Sequence, residues 1–161
     1  RRSLGSAIGA EVMLRRPLTH RLGGYFSYTL SRSTRSFDRE HFPSAFDRTH
    51  VLNLALAYDL GRRWRAGTRL VYYSGFPAEQ AESGQLRSES PPRVPAFYRV
   101  DVRLEKRWRL GERGYWAFVF EVLNATLSKE AVDLECDSSG ECRAQEIGPV
   151  TIPSIGVEAS F

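Results

Sequence analysis

FYRVDVRLEKRWRL (residues 97–110), GERG (111–114) and YWAFVFEVL (115–123) hold the plainest periodicity in the chain. In the first run Val100, Val102, Leu104 and Trp108 fall on one parity, and Arg99, Asp101, Arg103, Glu105 and Arg107 on the other. A period of two predicts a strand. In the second run Trp116, Phe118, Phe120 and Val122 share a face opposite Tyr115, Ala117, Val119, Glu121 and Leu123. Two such runs around a short Gly-containing turn predict a β-hairpin. A strand of a soluble domain averages about 5–6 residues, whereas one tilted across a bilayer needs about 9–11. These runs have the second length. One face is apolar with Trp toward its ends. The other carries Arg99, Asp101, Arg103, Glu105 and Arg107, with Glu121 across the hairpin, a row of both charge signs that suits a hydrated barrel lumen.

Working outward, the same alternation recurs. Ile8, Ala10, Val12 and Leu14 oppose Gly9, Glu11, Met13 and Arg15 over 6–16, and Pro17 is expected to end that strand by removing a donor. Leu22, Gly24, Phe26, Tyr28 and Leu30 oppose Gly23, Tyr25, Ser27, Thr29 and Ser31 over 22–32. Leu52, Leu54, Leu56, Tyr58 and Leu60 give the cleanest stripe over 51–60, and Trp64, Ala66, Thr68, Leu70 and Tyr72 follow over 64–75. The last run, 151–161, puts Ile155, Val157, Ala159 and Phe161 on one face. Between these lie three polar stretches, 33–48, 76–96 and 124–148, which read as long loops.

Connections thus alternate between short and long, the asymmetry of an outer-membrane barrel with periplasmic turns and extracellular loops. About seven strands are expected. Bacterial single-chain barrels carry an even number, so further strands are expected upstream of Arg1. The first residues, Arg1-Arg2-Ser3-Leu4, lack the apolar region and small-residue cleavage site of a signal peptide, so an exported protein would be represented here by a mature piece or fragment.

Composition is compatible with this reading without carrying it. The 161 residues are 42% hydrophobic and 26% charged, as an ordinary soluble domain would be. A barrel averages to the same figures because its polar lumen face dilutes its lipid face. No run reaches the roughly 18 uninterrupted apolar residues of a transmembrane helix. The net charge of +4 is spread along alternating strands among acids, which argues against a nucleic-acid partner.

Several stretches carry a family resemblance. Phe46-Asp47-Arg48-Thr49-His50-Val51-Leu52-Asn53-Leu54, Tyr73-Ser74-Gly75-Phe76-Pro77, 98–107, and Glu121-Val122-Leu123-Asn124-Ala125-Thr126 resemble the C-terminal barrel of TonB-dependent outer-membrane receptors. The closing Phe161 resembles the signal read by the barrel-assembly machinery. The resemblance implies an all-β, antiparallel, up-and-down transmembrane barrel segment in the bacterial outer membrane. Its partners would be lipid, the remaining strands and plug, and the TonB complex through that plug. The plug and TonB-contacting segment are absent from this sequence, and a barrel with a plugged lumen needs about 22 strands.

Sites for chemistry are sparse. His20, His41 and His50 lack metal-ligand spacing and read as surface or loop residues. No nucleophile elbow, phosphate-binding Gly loop or dinucleotide fingerprint occurs, so neither an enzyme nor a cofactor is expected. The row Arg99, Asp101, Arg103, Glu105, Arg107 and Glu121 admits a catalytic carboxylate cluster, but a cross-strand charge ladder is the expected account. Cys136 and Cys142, six apart, fit a disulfide in an oxidising compartment, with a metal-binding thiol pair as the alternative. Arg35, Arg39, Arg48 and Arg87 lie in the loops, where they would contact an anionic siderophore or sugar or simply solvate a loop face.

Two functions follow. One is transport: barrel wall plus extracellular loops for capture of siderophores or other scarce nutrients. The other is a soluble lipocalin-like barrel with its apolar faces turned inward around a small ligand. They require opposite polarity for Leu54 and Phe118 against Arg103 and Glu105.

Overall fold

A computed structural model describes residues 3–37, 40–78, 90–112, 114–137 and 141–160. Within them lie ten strands and no helix: β1 (Ser3–Thr19), β2 (Leu22–Phe37), β3 (Glu40–Pro43), β4 (His50–Gly61), β5 (Trp64–Tyr73), β6 (Phe97–Leu110), β7 (Gly114–Leu123), β8 (Glu130–Cys136), β9 (Cys142–Ile147) and β10 (Ile152–Ser160). The main sheet is antiparallel and follows the order β1-β2-β4-β5-β6-β7-β10, with β3 paired to β2 and β8–β9 forming a separate hairpin. The expected all-β, antiparallel, seven-strand path is present.

Register keeps the two faces distinct across the sheet. Leu14 lies opposite Phe26, Phe26 opposite Leu54, Leu54 opposite Leu70, and Leu70 opposite Val100, so one apolar row crosses five strands. The row further along the strands continues from Leu104 to Phe120 to Ile155. No residue of this apolar face is buried among those described. Phe118 and Phe120 are 39% and 38% exposed, and Ile155 is 71% exposed. The opposite face is shaded at its centre, where Ala117 is 0%, Val119 4% and Glu105 4% exposed, and open at its edges, where Glu11, Arg15 and Ser154 are exposed. That contrast is expected of a single sheet curling toward its charged side. The accessible surface, 11929 Å², exceeds the roughly 8,100 Å² of a globular protein of 18.3 kDa.

The tight turns sit at one end. Arg62 and Arg63 both take positive φ (52° and 65°), the geometry of a primed two-residue hairpin turn, which twists with the strands it joins. At the first turn the chain packs closely on itself. A Cβ on Gly23 would lie 2.6 Å from Leu18 Cα, so glycine is what lets the segment before the turn pass beside β2.

Three expectations are corrected. Pro17 does not end β1; it lies in the register shift between Arg16 and Thr19, where the ladder is already interrupted and the missing donor costs nothing. Residues 33–37 are not loop but continue β2 against 3–7, with β3 folded back on their other side. The stretch 124–148 contains the hairpin β8–β9. Over 33–37 polar side chains occupy both faces, so pairing is not accompanied by an alternating pattern; in β8–β9 Leu134 and Cys136 do alternate with Asp133 and Glu135, but the run is short and its register shifts between Ala131 and Asp133.

Candidate functional site

Strands β5, β6, β7 and β10 bring the predicted charge row together. Arg103 donates from Nη1 to Glu121 at 2.9 Å, and from Nη2 to Glu158 at 2.7 Å and Glu105 at 3.3 Å. One guanidinium thus holds carboxylates from three strands, an arrangement that the fixed fork of Arg permits and a Lys would not reproduce. Arg107 Nε donates to the other oxygen of Glu105. Arg99 Nη2 donates to Asp101 at 3.3 Å, while its Nε lies 3.0 Å from Asp101 Oδ1 without the alignment of a hydrogen bond. Asp101 Oδ1 also accepts the Asn124 N–H at 2.9 Å. Every carboxylate named here faces a guanidinium, which is the geometry of a charge ladder rather than of paired acids sharing a proton. Gly67, directly opposite Arg103, leaves room beside it. A cavity of about 550 Å³ opens there among Ala57, Gly67, Arg69, Asp101, Glu121 and Ser154.

The long connections build a platform at the other end of the strands. Asp47, 2% exposed, accepts the Ser33 N–H at 2.5 Å and pairs with Arg93. Arg93 Nη1 donates to Asp47 O at 2.8 Å and Gly75 O at 3.0 Å, tying the segment before β4 to the one after β5. Arg48 lies over the Tyr73 ring at 3.8 Å and the Phe76 ring at 5.6 Å. Glu130, the first residue of β8, reaches this group: it accepts from the Tyr73 hydroxyl and is 3.8 Å from Arg48. Glu130 therefore ties the start of the β8–β9 hairpin to the end of β5. At its root Asn124, 2% exposed with φ 56°, donates to Ser128 O at 2.9 Å and Val150 O at 3.2 Å and accepts from the Ser128 N–H at 3.0 Å. Cys136 and Cys142 are register partners in that hairpin and are joined as a disulfide.

The apolar face has its own order. Tyr28, Tyr72 and Tyr98 lie toward the long-loop end, Tyr72 directly opposite Tyr98. Trp64, Trp108 and Trp116 lie toward the turn end on the same face, with Trp108 stacked on Trp116 at 4.2 Å and Lys106 Nζ 4.9 Å over Trp64. From Trp64 to Tyr72 the strand covers roughly 26 Å, or about 20 Å of height at a tilt near 40°.

Of the sequence candidates, Arg99, Asp101, Arg103, Glu105, Arg107 and Glu121 meet on one face, and Glu158 joins them from β10. Arg48 joins the loop platform and Arg35 lies in β2. His50 opens β4, its Nδ1 2.8 Å from the Tyr28 hydroxyl. His20 is in the first turn and His41 in β3. Phe161, Arg39 and Arg87 lie outside the described residues. The Arg93–Asp47 and Tyr73–Glu130 contacts are invisible in the sequence because partners 46 and 57 residues apart leave no local signal. No protein-family model, curated protein or solved structure matches the chain.

Proposed function

We propose that this chain is part of the wall of a bacterial outer-membrane transporter of the TonB-dependent kind, with its loop platform on the extracellular side. The observation that carries this is the polarity of the sheet. Its apolar face is exposed along every strand of the main path, while the centre of its ionic face, at Glu105 and Val119, is shaded. In water such a face is an aggregation surface, and a single layer has nothing to cover it. In a bilayer it is solvated, and Arg103 with its carboxylates faces a hydrated interior. The Tyr and Trp rows fit the two interfacial girdles, their separation of about 20 Å lying near the apolar band's height of roughly 25 Å. A soluble lipocalin-like barrel needs Phe118 inside and Glu105 outside, the reverse of their 39% and 4% exposures.

On this reading the loops capture a scarce nutrient such as a siderophore. Release inward depends on a plug and on TonB. Insertion uses the barrel-assembly machinery. The test is membrane fractionation of a Gram-negative host expressing the protein, followed by tryptophan quenching with brominated lipids. Outer-membrane location with strong quenching is expected. Recovery in the soluble fraction, with emission quenched by iodide and not by brominated chains, would overturn the proposal.

A further inference from the structure

The cavity of about 550 Å³ on the ionic face is a trough that crosses β4, β5, β6, β7 and β10, and its charge is uneven from end to end. At the β5 end Arg69 is exposed and makes no ion pair or hydrogen bond among the described residues. Asp101, directly opposite it, is already held by Arg99 and by the Asn124 N–H. At the β7–β10 end the balance is reversed. Glu105, Glu121 and Glu158 share Arg103 and Arg107, three carboxylates on two guanidiniums. Arg65, the other cation beside Glu105, also faces Asp59 on β4 and is balanced by it. The Glu121 and Glu158 side chains are 46% and 49% exposed, and in each only Oε1 accepts from Arg103.

The trough thus carries an unspent positive charge and, two strands away, an unspent negative one. Arg69 is in register with Asp101, and Glu121 with Arg103, which places Glu121 about 12 Å from Arg69 and nearer the turns. Ser154, opposite Glu121, adds a hydroxyl at the negative end. The rest of the lining is bare or apolar: Gly67 leaves the floor open beside Arg103, and Leu123 with Ile152 opposite forms the wall on the loop side. A complementary solute has an anionic end, a cationic end about 10 Å away and apolar matter between. An extended chain of three amino-acid residues has that length, at about 3.3–3.6 Å per residue. The arginine fork matches its carboxylate, and the volume falls among small-ligand sites of about 300–1,000 Å³.

We propose that this trough binds a short zwitterionic peptide as cargo, its terminal carboxylate on Arg69 and its terminal ammonium on Glu121 and Ser154. The assignment as cargo rests on the transport reading above, whereas the binding itself does not. Purified in non-ionic detergent micelles, the protein is titrated calorimetrically with the tripeptide alanyl-leucyl-alanine, with its N-acetylated form and with its C-amidated form. The free tripeptide should bind about tenfold more tightly than either blocked form. Arg69→Gln should bind the free and amidated forms alike, and Glu121→Gln the free and acetylated forms alike, so that each variant loses one preference and keeps the other. Gly67→Leu should abolish binding. A Cβ there meets only ordinary contacts, Arg103 Cβ at 3.6 Å and Leu56 O at 3.7 Å, so the added side chain fills the trough without disturbing the sheet. Circular dichroism should be unchanged in all three variants. Absent binding, equal binding of the three tripeptides by wild type, or full retention by Gly67→Leu overturns the site. Brominated-lipid quenching on the same protein separates the failures. Quenched emission without these peptide effects rejects the trough alone, and unquenched emission rejects the membrane wall and with it the assignment as cargo.

Discussion

Gly75 shows how much of the loop platform rests on a single missing atom. A Cβ there would lie 1.6 Å from Val94 O and 2.6 Å from Val94 C, backbone atoms that no side-chain rotation would move aside. Gly75→Ala should therefore destabilise by about 3 kcal/mol, at the upper end of overpacking. Amide exchange would report it locally, because the Ala78 N–H bonded to Pro92 O and the Val94 N–H bonded to Phe76 O span the same crossing. Asn124 supports the neighbouring connection differently, through donors and an acceptor used together in a left-handed conformation that Asn tolerates better than most residues. Asn124→Ala should cost about 2–3 kcal/mol, while Asn124→Asp keeps the acceptor and loses the donors, giving about half that in thermal unfolding. Neither role could be read from sequence: the partners Val94 and Val150 lie 19 and 26 residues away.

The strands themselves are legible because each long run carries a two-residue contrast between aliphatic and ionic side chains. Register conserves that contrast from β1 to β10. Where both faces are polar, as at 33–37, the contrast vanishes and the strand with it from any reading of pattern; in β8–β9 it survives over only a few residues, too short to stand out within a polar stretch. Adjacent residues of β10 test what the contrast means. Ile155 and Ser154 are both exposed, so a sheet in water would accept arginine at either. In a bilayer Ile155→Arg should cost about 2–4 kcal/mol and Ser154→Arg close to nothing, measured by denaturant unfolding in lipid vesicles. The β8–β9 hairpin tests independence. The Cys136–Cys142 bridge closes a ring of about seven residues, so Cys136→Ser should remove roughly 2 kcal/mol from that hairpin. Faster exchange should appear in β8 and β9 and leave β4–β7 unchanged.

At the scale of the whole molecule, the surface of 11929 Å² on an 18.3 kDa chain means that the sheet does not bury its own apolar side. Diluted from denaturant into buffer without amphiphile, the protein should aggregate. With detergent micelles present it should give a monodisperse β-sheet spectrum by circular dichroism and sedimentation. The ionic row is visible in the sequence as one strand's alternation, but its closure by Glu158 and the stacking of the Tyr and Trp rows require the order of the strands. The three indoles have one more implication. All belong to one side and one end of the sheet, so in a bilayer the indole emission of the molecule would sample a single leaflet. A water-soluble quencher confined to one compartment of a sealed vesicle would then read out the direction of insertion, with no label attached.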